Sequence, residues 1–230
     1  MSHLRILSAG STLHGVRACA ALAAQTISAP IEVATDHGHN IRDALLRGQT
    51  KADVVLLPVD MAAILAAKGL VADTVALGTV GIGGVVREGS NVPQIATMDE
   101  LRAALIEADT VLLTTGPTGE HLMKVIAKFA IADEVARKLS RFDTSTKLNI
   151  ALAARSDHAL GFGPETEIRA GIGVKWIGDV PDEIQVALPY AAAMVTGTTA
   201  VDAARRFLTF LETEDARAAF AKTGVRLQAT

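Results

Sequence analysis

The chain has 230 residues, of which 50% are hydrophobic and 20% charged, and its 22 basic and 25 acidic residues give a formal net charge of −3. This hydrophobic fraction supplies a packed core and excludes a disordered or fibrous chain. The single cysteine excludes a disulfide framework and a cysteine-based zinc cluster. Near-neutral charge and 3% aromatic residues argue against nucleic acid as a partner. The composition indicates a globular protein that handles a small molecule.

The N-terminal residues lead directly into a strand-like segment at residues 4–7. They lack the basic region, apolar core and small-residue cleavage site of a secretory signal. No segment approaches the roughly 20 uninterrupted apolar residues of a membrane span. The sequence as written is therefore expected to be cytoplasmic, and periplasmic if a leader was removed.

Strands and helices alternate along the first 70 residues. Continuous apolar runs predict strands, and apolar residues at helical spacing follow each of them. Such runs indicate a mostly parallel sheet whose two faces are both covered by helices. The predicted strands are 4–7, 31–34 and 53–57, and the predicted helices are 13–24, 41–47 and 60–69.

Two long apolar segments, 75–86 and 184–195, are expected to cross between two lobes. The first carries four glycines, which suit a bend and a close backbone approach. The predicted division is residues 1–78 plus 195–230 for lobe 1 and residues 79–194 for lobe 2.

The rest of the chain again combines predicted strands with predicted helices. Thr97 and Glu100 form a capping box that opens a helix. Further strands are predicted at 110–113 and 159–163, and further helices at 121–130, 133–139, 148–155, 200–211 and 215–222.

Short motifs occur in a fixed order along the chain: Leu7-Ser8-Ala9-Gly10-Ser11, Ala52-Asp53-Val54-Val55-Leu56-Leu57-Pro58, Pro117-Thr118-Gly119, Leu160-Gly161-Phe162-Gly163, Pro189-Tyr190, and Ala203, Arg205, Phe207 and Leu211. In this order they resemble the type II periplasmic-binding-protein fold, in particular its molybdate-binding-protein-like branch. The resemblance implies an α/β fold of two lobes, each a mostly parallel sheet flanked by helices, joined by two β crossings. It also implies a small anionic ligand in a hinged cleft between the lobes. A transporter partner would follow from the family, although no feature of the sequence indicates one.

The resemblance places the ligand contacts at five positions: Ser11, Gly38, Thr118, Thr146 and Tyr190. The match is direct at Ser11 and Tyr190. The family's molybdate binders have a hydroxyl side chain where this chain has Gly38, flanked by His37 and His39.

The residues themselves support an anion site. Ser11, the segment 37–40 and Thr118 each precede a predicted helix and follow a predicted strand. Loops at the carboxyl ends of parallel strands are where ligands bind in such sheets, and helix N-termini favour anions. The alternative is that these hydroxyl groups only cap helices.

Four of the six histidines lie in or just after these loops: His14, His37, His39 and His121. Protonated imidazoles could pair with the carboxylates of a larger ligand, or one imidazole could act as a general base. Two histidines at 37 and 39 could also share a metal ion, or be exposed loop residues. No carboxylate is clearly paired with the set, so no metal is expected. Glycines 81–84 lie within a strand and lack a dinucleotide fingerprint, so no cofactor is expected.

Two functions from different classes remain open. The first is a solute-binding protein that captures a small oxyanion or carboxylate. The second is a cofactor-free isomerase of a di- or tricarboxylate, because the fold family includes an aconitate isomerase. In that case His14, His37 or His39 would supply the base, and Ser11 and Thr118 would hold carboxylates.

Other conspicuous residues are interpreted as structural. Asp53 begins a buried strand, Cys19 lies within a helix pattern, and Trp176 is expected in the core. Tyr190 has two interpretations, a donor to the bound anion or a packed aromatic residue.

Overall fold

The structure is a computed structural model that describes residues 3–27 and 29–227. The chain divides into two compact units, with unit 1 formed within residues 1–80 and 188–230 and unit 2 by residues 81–187. Within these described ranges, no helix is long and apolar enough to cross a membrane.

The strands are β1 Leu4–Ala9, β2 Ile31–Asp36, β3 Val54–Pro58, β4 Val71–Val80, β5 Ile82–Arg87, β6 Thr110–Thr114, β7 Leu139–Phe142, β8 Ala159–Pro164, β9 Val174–Asp179 and β10 Leu188–Val195. The helices are α1 Leu13–Ala23, α2 Gly38–Leu46, α3 Val59–Ala67, α4 Met98–Glu107, α5 Pro117–Ile126, α6 Ala132–Arg137, α7 Ser145–Ala153, α8 Glu165–Ile168, α9 Val201–Leu211 and α10 Glu214–Lys222. Short 3-10 turns cover Gly10–Thr12 and Asp182–Ile184.

Unit 1 contains a sheet in the order β2-β1-β3-β10-β4, in which β10 runs antiparallel to its neighbours β3 and β4. The other described strands of this sheet are parallel to one another. Successive side chains of a strand point to opposite faces, so β3 places Val54 and Leu56 in one apolar cluster and Val55 and Leu57 in another. The uninterrupted apolar run thus marks a strand that is covered on both faces.

Unit 2 repeats this plan in the order β7-β6-β8-β5-β9, and here β5 is the antiparallel strand. Val111 and Leu113 of β6 pack in one cluster and Leu112 in the other. The prediction of an α/β fold built from two mostly parallel sheets is confirmed.

The first predicted crossing consists of two strands rather than one. Gly81 separates β4 from β5, and these two strands lie in different sheets. The glycines do permit a close approach, because a β-carbon on Gly83 would lie 1.8 Å from Cη2 of Trp176. Trp176 itself is only partly buried, with the guanidinium of Arg169 5.1 Å from its ring centre.

The second crossing also differs from the sequence-based division. The sequence-based division places residues 79–80 and 188–194 in lobe 2, whereas the structure includes them in unit 1. The reason is that β10 pairs with both β3 and β4 from Leu188 to Val195.

Several element bounds were predicted incorrectly. The predicted helix 133–139 ends at Arg137, and Leu139 instead begins β7, which pairs with β6. The predicted helix 148–155 begins at Ser145. Strand β9 was not predicted. Both β7 and β9 are short edge strands, half-buried or exposed, so they lack the continuous apolar run that identified the central strands.

Asp53 holds the start of β3 against β1. Its carboxylate accepts hydrogen bonds from the Arg5 backbone amide (2.8 Å), the Arg5 guanidinium (3.1 and 3.2 Å) and the Thr198 hydroxyl (2.6 Å). Burial raises the pKa of Asp53, but the hydrogen bonds from Arg5 and Thr198 outweigh it, so the pKa lies below its usual value. This residue is structural, as the sequence indicated.

Cys19 is fully buried in the unit 1 core, and burial raises the pKa of its thiol to about 12. A buried thiol of this kind stays protonated and behaves as a small apolar residue.

Candidate functional site

One edge of the unit 1 sheet collects three of the predicted ligand positions. β1 and β2 are parallel and end in register at Ala9 and Asp36, so Ser11 and Gly38 follow them at the same edge. Tyr190 is paired with Pro58, the last residue of β3, at that edge too. The topology therefore brings Ser11, Gly38 and Tyr190 to the carboxyl edge of the parallel strands, where ligands bind in such sheets.

Helix α2 begins three residues earlier than predicted. Asp36 Oδ1 accepts hydrogen bonds from the His37 amide (2.7 Å) and from the Asn40 side chain (2.8 Å), which together turn the chain into the helix. His39 and Asn40 consequently lie in the first helical turn instead of a loop. The first amides of a helix have no intrahelical acceptor. In α2, the N-cap residue His37 supplies no side-chain acceptor for them either.

His37 and His39 form a stacked pair at the start of this helix. Their ring centres lie 5.4 Å apart with 13° between the planes, and both residues are exposed. Two exposed imidazoles at a positively polarised helix end are suited to an anionic ligand.

Gly38, between these histidines, is closely packed. A β-carbon at this position would lie 3.3 Å from both Pro58 Cδ and Met61 Sδ. A serine here would require those neighbours to shift by a few tenths of an ångström, so the local packing favours glycine.

Ser11 and Tyr190 are almost fully buried, at 6% and 7% exposure. Thr12, beside Ser11, is committed to internal hydrogen bonds with the Ser8 hydroxyl (2.9 Å) and the Ala9 carbonyl (3.3 Å). Thr12 is thus a structural residue, and the ligand-binding roles of Ser11 and Tyr190 stay predictions.

Unit 2 offers a comparable helix start at α5. Gly116 is the N-cap residue of α5 and has no side chain to accept a hydrogen bond from the first amides. Pro117 occupies the first helical position. Thr118 follows and is 1% exposed. Within the part of the chain that the structure describes, its hydroxyl has no hydrogen-bond partner. A buried polar group in this state calls for an external partner such as a ligand or water.

Thr146 lies in the first turn of α7 and is exposed. Its neighbours carry the local hydrogen bonds, since the Lys147 amide donates to the N-cap Thr144 (3.2 Å) and buried Ser145 donates to Glu167 (2.8 Å). β6 and β7 are parallel, so α5 and α7 begin at the same edge of the unit 2 sheet.

The remaining histidines fall into different environments. His14 is exposed near the start of α1. His121, predicted to be directed toward the ligand, instead has its Nε2 2.9 Å from the Ile184 carbonyl within unit 2. Across residues 3–27 and 29–227, no group of three or more His, Cys, Asp or Glu side chains is arranged to hold a metal ion.

Sequence reasoning did not single out Thr114, the last residue of β6, whose hydroxyl is also buried and has no partner among the described residues. The available signal was a threonine at a strand end, two residues before the Gly-Pro-Thr-Gly motif that begins at Gly116.

A family model described as "Bacterial extracellular solute-binding protein" matches residues 4–226. An aconitate isomerase from Pseudomonas sp. is 28% identical over 230 residues, with 97% of this chain and 87% of that protein covered. The periplasmic molybdate-binding protein of Azotobacter vinelandii has a similar structure, with a TM-score of 0.79, 13% identity, and 99% of this chain and 100% of that chain covered. A sulfate-binding protein from Mycobacterium tuberculosis gives a TM-score of 0.72 and 17% identity over 98% of this chain and 87% of that one.

Proposed function

Because the chain belongs to the family of bacterial extracellular solute-binding proteins, we propose that it binds a small anion, either an oxyanion or a carboxylate. The observation that carries the proposal is that two of the helices without a side-chain cap, α2 and α5, begin at predicted ligand positions. Each begins at the carboxyl edge of a parallel strand with no side-chain cap on its first amides. Such an end presents unpaired N–H groups and about half a positive charge, which favours an anionic guest.

The relatives agree with this choice. Two proteins with the same fold are named for molybdate and sulfate, both anions. Gly38 favours a ligand other than molybdate, since the chain offers two imidazoles in place of the hydroxyl. We therefore include polycarboxylates beside the tetrahedral oxyanions. The proposed location of a single ligand in a cleft stays a prediction from the family.

Ligand binding is expected to raise the unfolding temperature. A probe at 100 times its Kd adds about 2.7 kcal/mol to the free energy of unfolding, because only the folded state binds it. Molybdate, tungstate, sulfate, phosphate, citrate and trans-aconitate should be compared by differential scanning fluorimetry. If none of them changes the unfolding temperature, the anion proposal fails.

Ser11→Ala is expected to weaken binding of the best probe by about 10- to 150-fold, because a hydrogen bond to a charged group contributes about 1.5–3 kcal/mol. Isothermal titration calorimetry measures the change. Ser90→Ala, which removes a serine hydroxyl from a turn in unit 2, is the matched control and should bind as the wild type does. Equal Kd values for the two variants would remove Ser11 from the site.

A second function is favoured by the histidine pair together with the aconitate isomerase relative. On this reading one imidazole of His14, His37 or His39 takes a proton from a carbon next to a carboxylate of the tricarboxylate. The electron pair delocalises over the adjacent double bond, and the proton returns to the other end, so the double bond moves without a redox change. Helix amides and hydroxyl groups would stabilise the developing charge.

Proton NMR in deuterated water tests this reading with trans-aconitate as the probe. An isomerase incorporates deuterium and forms cis-aconitate, and His37→Asn/His39→Asn should slow this by about 10²–10⁴-fold, the usual contribution of a general base. His3→Asn is the control, since His3 contacts Glu32 (2.6 Å) beside the amino end of β1. If the wild type incorporates no deuterium into trans-aconitate, the isomerase function is excluded and anion binding is the function that stands. Unchanged exchange in the double variant would exclude this pair as the base.

Family membership also favours the periplasmic alternative over the cytoplasmic one, because the family is named for extracellular proteins. We infer that this chain functions outside the cytoplasm, and cell fractionation of the native protein tests it. A transporter partner stays a prediction.

A further inference from the structure

Unit 2 contains a group of buried hydroxyls that the fold does not satisfy. Among the described residues, the buried hydroxyl oxygens without a hydrogen-bond partner belong to Thr114, Thr118 and Thr166. Thr114 ends β6, Thr118 lies in the first turn of α5, and Thr166 lies in α8, just after β8. β6 and β8 are parallel neighbours, so all three threonines lie at one edge of the sheet.

This clustering is unexpected for residues with purely structural roles. Buried hydroxyls in folded proteins nearly always have a partner, because an unmet donor or acceptor destabilises the fold. Three unmet hydroxyls at the carboxyl ends of neighbouring parallel strands indicate that the partner comes from outside the chain.

Two glycines pack closely against Thr114. A β-carbon on Gly119 would lie 3.2 Å from Thr114 Oγ1, and one on Gly163 would lie 3.5 Å from it. The hydroxyl therefore faces the first turn of α5 on one side and the end of β8 on the other. At the N-cap, a β-carbon on Gly116 would meet nothing within 4 Å, so the approach to the helix start is open.

The charged and titratable side chains near this helix start already have partners within unit 2. His121, on the same helix, has its Nε2 against the Ile184 carbonyl, and exposed Glu120 is paired with Arg141. The uncapped amides of Thr118 and Gly119 have no intrahelical acceptor. Hydroxyl groups can donate or accept, so the set suits a group in which two or more oxygens share a negative charge.

We propose that Thr114 is a binding residue that, with Thr118 and the first amides of α5, forms a subsite for one oxyanion group of the ligand. The subsite rests on the proposed anion-binding function, which already includes the start of α5, and adds Thr114 to it. The bound group is a carboxylate of a polycarboxylate or one face of a tetrahedral oxyanion, which share this chemistry.

Thr114→Val in the full chain tests the subsite, because valine keeps the shape and removes the hydroxyl. Calorimetry with citrate, sulfate and molybdate should show at least a tenfold rise in Kd for the probes that bind the wild type. The ligand-free variant should unfold at the same or a higher temperature, because an unmet buried hydroxyl is gone. An effect on citrate assigns a carboxylate to the subsite, and an effect on sulfate or molybdate assigns a tetrahedral oxyanion.

Thr110→Val is the matched control at the opposite end of the same strand. The Thr110 hydroxyl donates to Asp157 (3.0 Å) and accepts from Arg155 (2.7 Å), so its loss should lower the unfolding temperature and leave Kd unchanged. Thr114→Ser retains the hydroxyl and should bind like the wild type, which separates a lost contact from a folding defect.

An unchanged Kd in Thr114→Val overturns the subsite while the anion-binding function stands. Weak binding by Thr114→Ser equal to that of Thr114→Val also overturns it, since the hydroxyl would then be irrelevant. Failure of the wild type to bind any of the probes overturns the anion-binding function and the subsite with it.

Discussion

Asp53→Ala is expected to lower the free energy of unfolding by about 3 kcal/mol, the lower end of the range for breaking a buried ion pair. Asp53 is 1% exposed, and its loss leaves the Arg5 guanidinium without its partner and the Thr198 hydroxyl without its acceptor. The effect stays at the lower end because the Arg5 side chain is 42% exposed and regains water. Urea denaturation followed by circular dichroism measures the change.

Asp143→Ala is the control for this prediction. Asp143 pairs with Lys147 at 2.7 Å, but both side chains are more than half exposed. An exposed pair contributes little to stability because water screens it, so the two variants should differ clearly in stability. Equal losses of stability would contradict the structural role assigned to Asp53.

The pH dependence of the Asp53 effect has a definite sign. The pKa of Asp53 is below its usual value in the folded protein. A carboxyl group of this kind stabilises the fold above its unfolded pKa of about 3.9, and the stabilisation is lost as the pH falls through the folded pKa. The stability difference between the wild type and Asp53→Ala should therefore be full at pH 7 and shrink below about pH 4. A difference that persists unchanged in acid would show that the charge of Asp53 is not responsible.

Gly119→Ala is expected to lower the free energy of unfolding by about 3 kcal/mol or more, at or beyond the upper end of the usual cost of overpacking. The new β-carbon would lie 1.7 Å from the Thr114 carbonyl oxygen and 2.7 Å from its carbon, so α5 must move away from β6. Because Thr118 moves with the helix, anion affinity should fall as well. Urea denaturation and calorimetry measure the two effects.

Gly116→Ala, which changes a glycine three residues before Gly119, is the control for the stability measurement. A β-carbon there meets nothing within 4 Å, so stability should change by less than about 1 kcal/mol. In an ordinary helix interior, alanine is favoured over glycine by about 1 kcal/mol. Tolerance of Gly119→Ala would thus show that α5 does not pack on Thr114 as described.

The two-sheet architecture could be predicted because its signals are local. The central strand residues Val54–Pro58 are apolar on both faces, which indicates burial between two helical layers. The Thr97–Glu100 capping box was predicted and is present, since it requires only residues three apart.

The start of α2 and the edge strands were not predictable in the same way. Helix α2 begins at Gly38 because the Asp36 carboxylate binds the His37 amide and Asn40, a contact that hydrophobic spacing does not report. β7 and β9 depend on pairing with β6 and β5, which are distant in sequence. Pairing between distant segments has no local signature.

For the candidate site, the sequence by itself determined which residue types follow the strands. Ser11, Gly38 with its two histidines, and Thr118 were recognisable because ligand loops leave the carboxyl ends of parallel strands. Only the tertiary structure decided which hydroxyls are already used and which are unmet. Thr12 is satisfied by Ser8, whereas Thr114 and Thr118 are buried without a partner among the described residues. The physical reason is that hydrogen-bond satisfaction depends on distances between segments, which packing sets and composition does not.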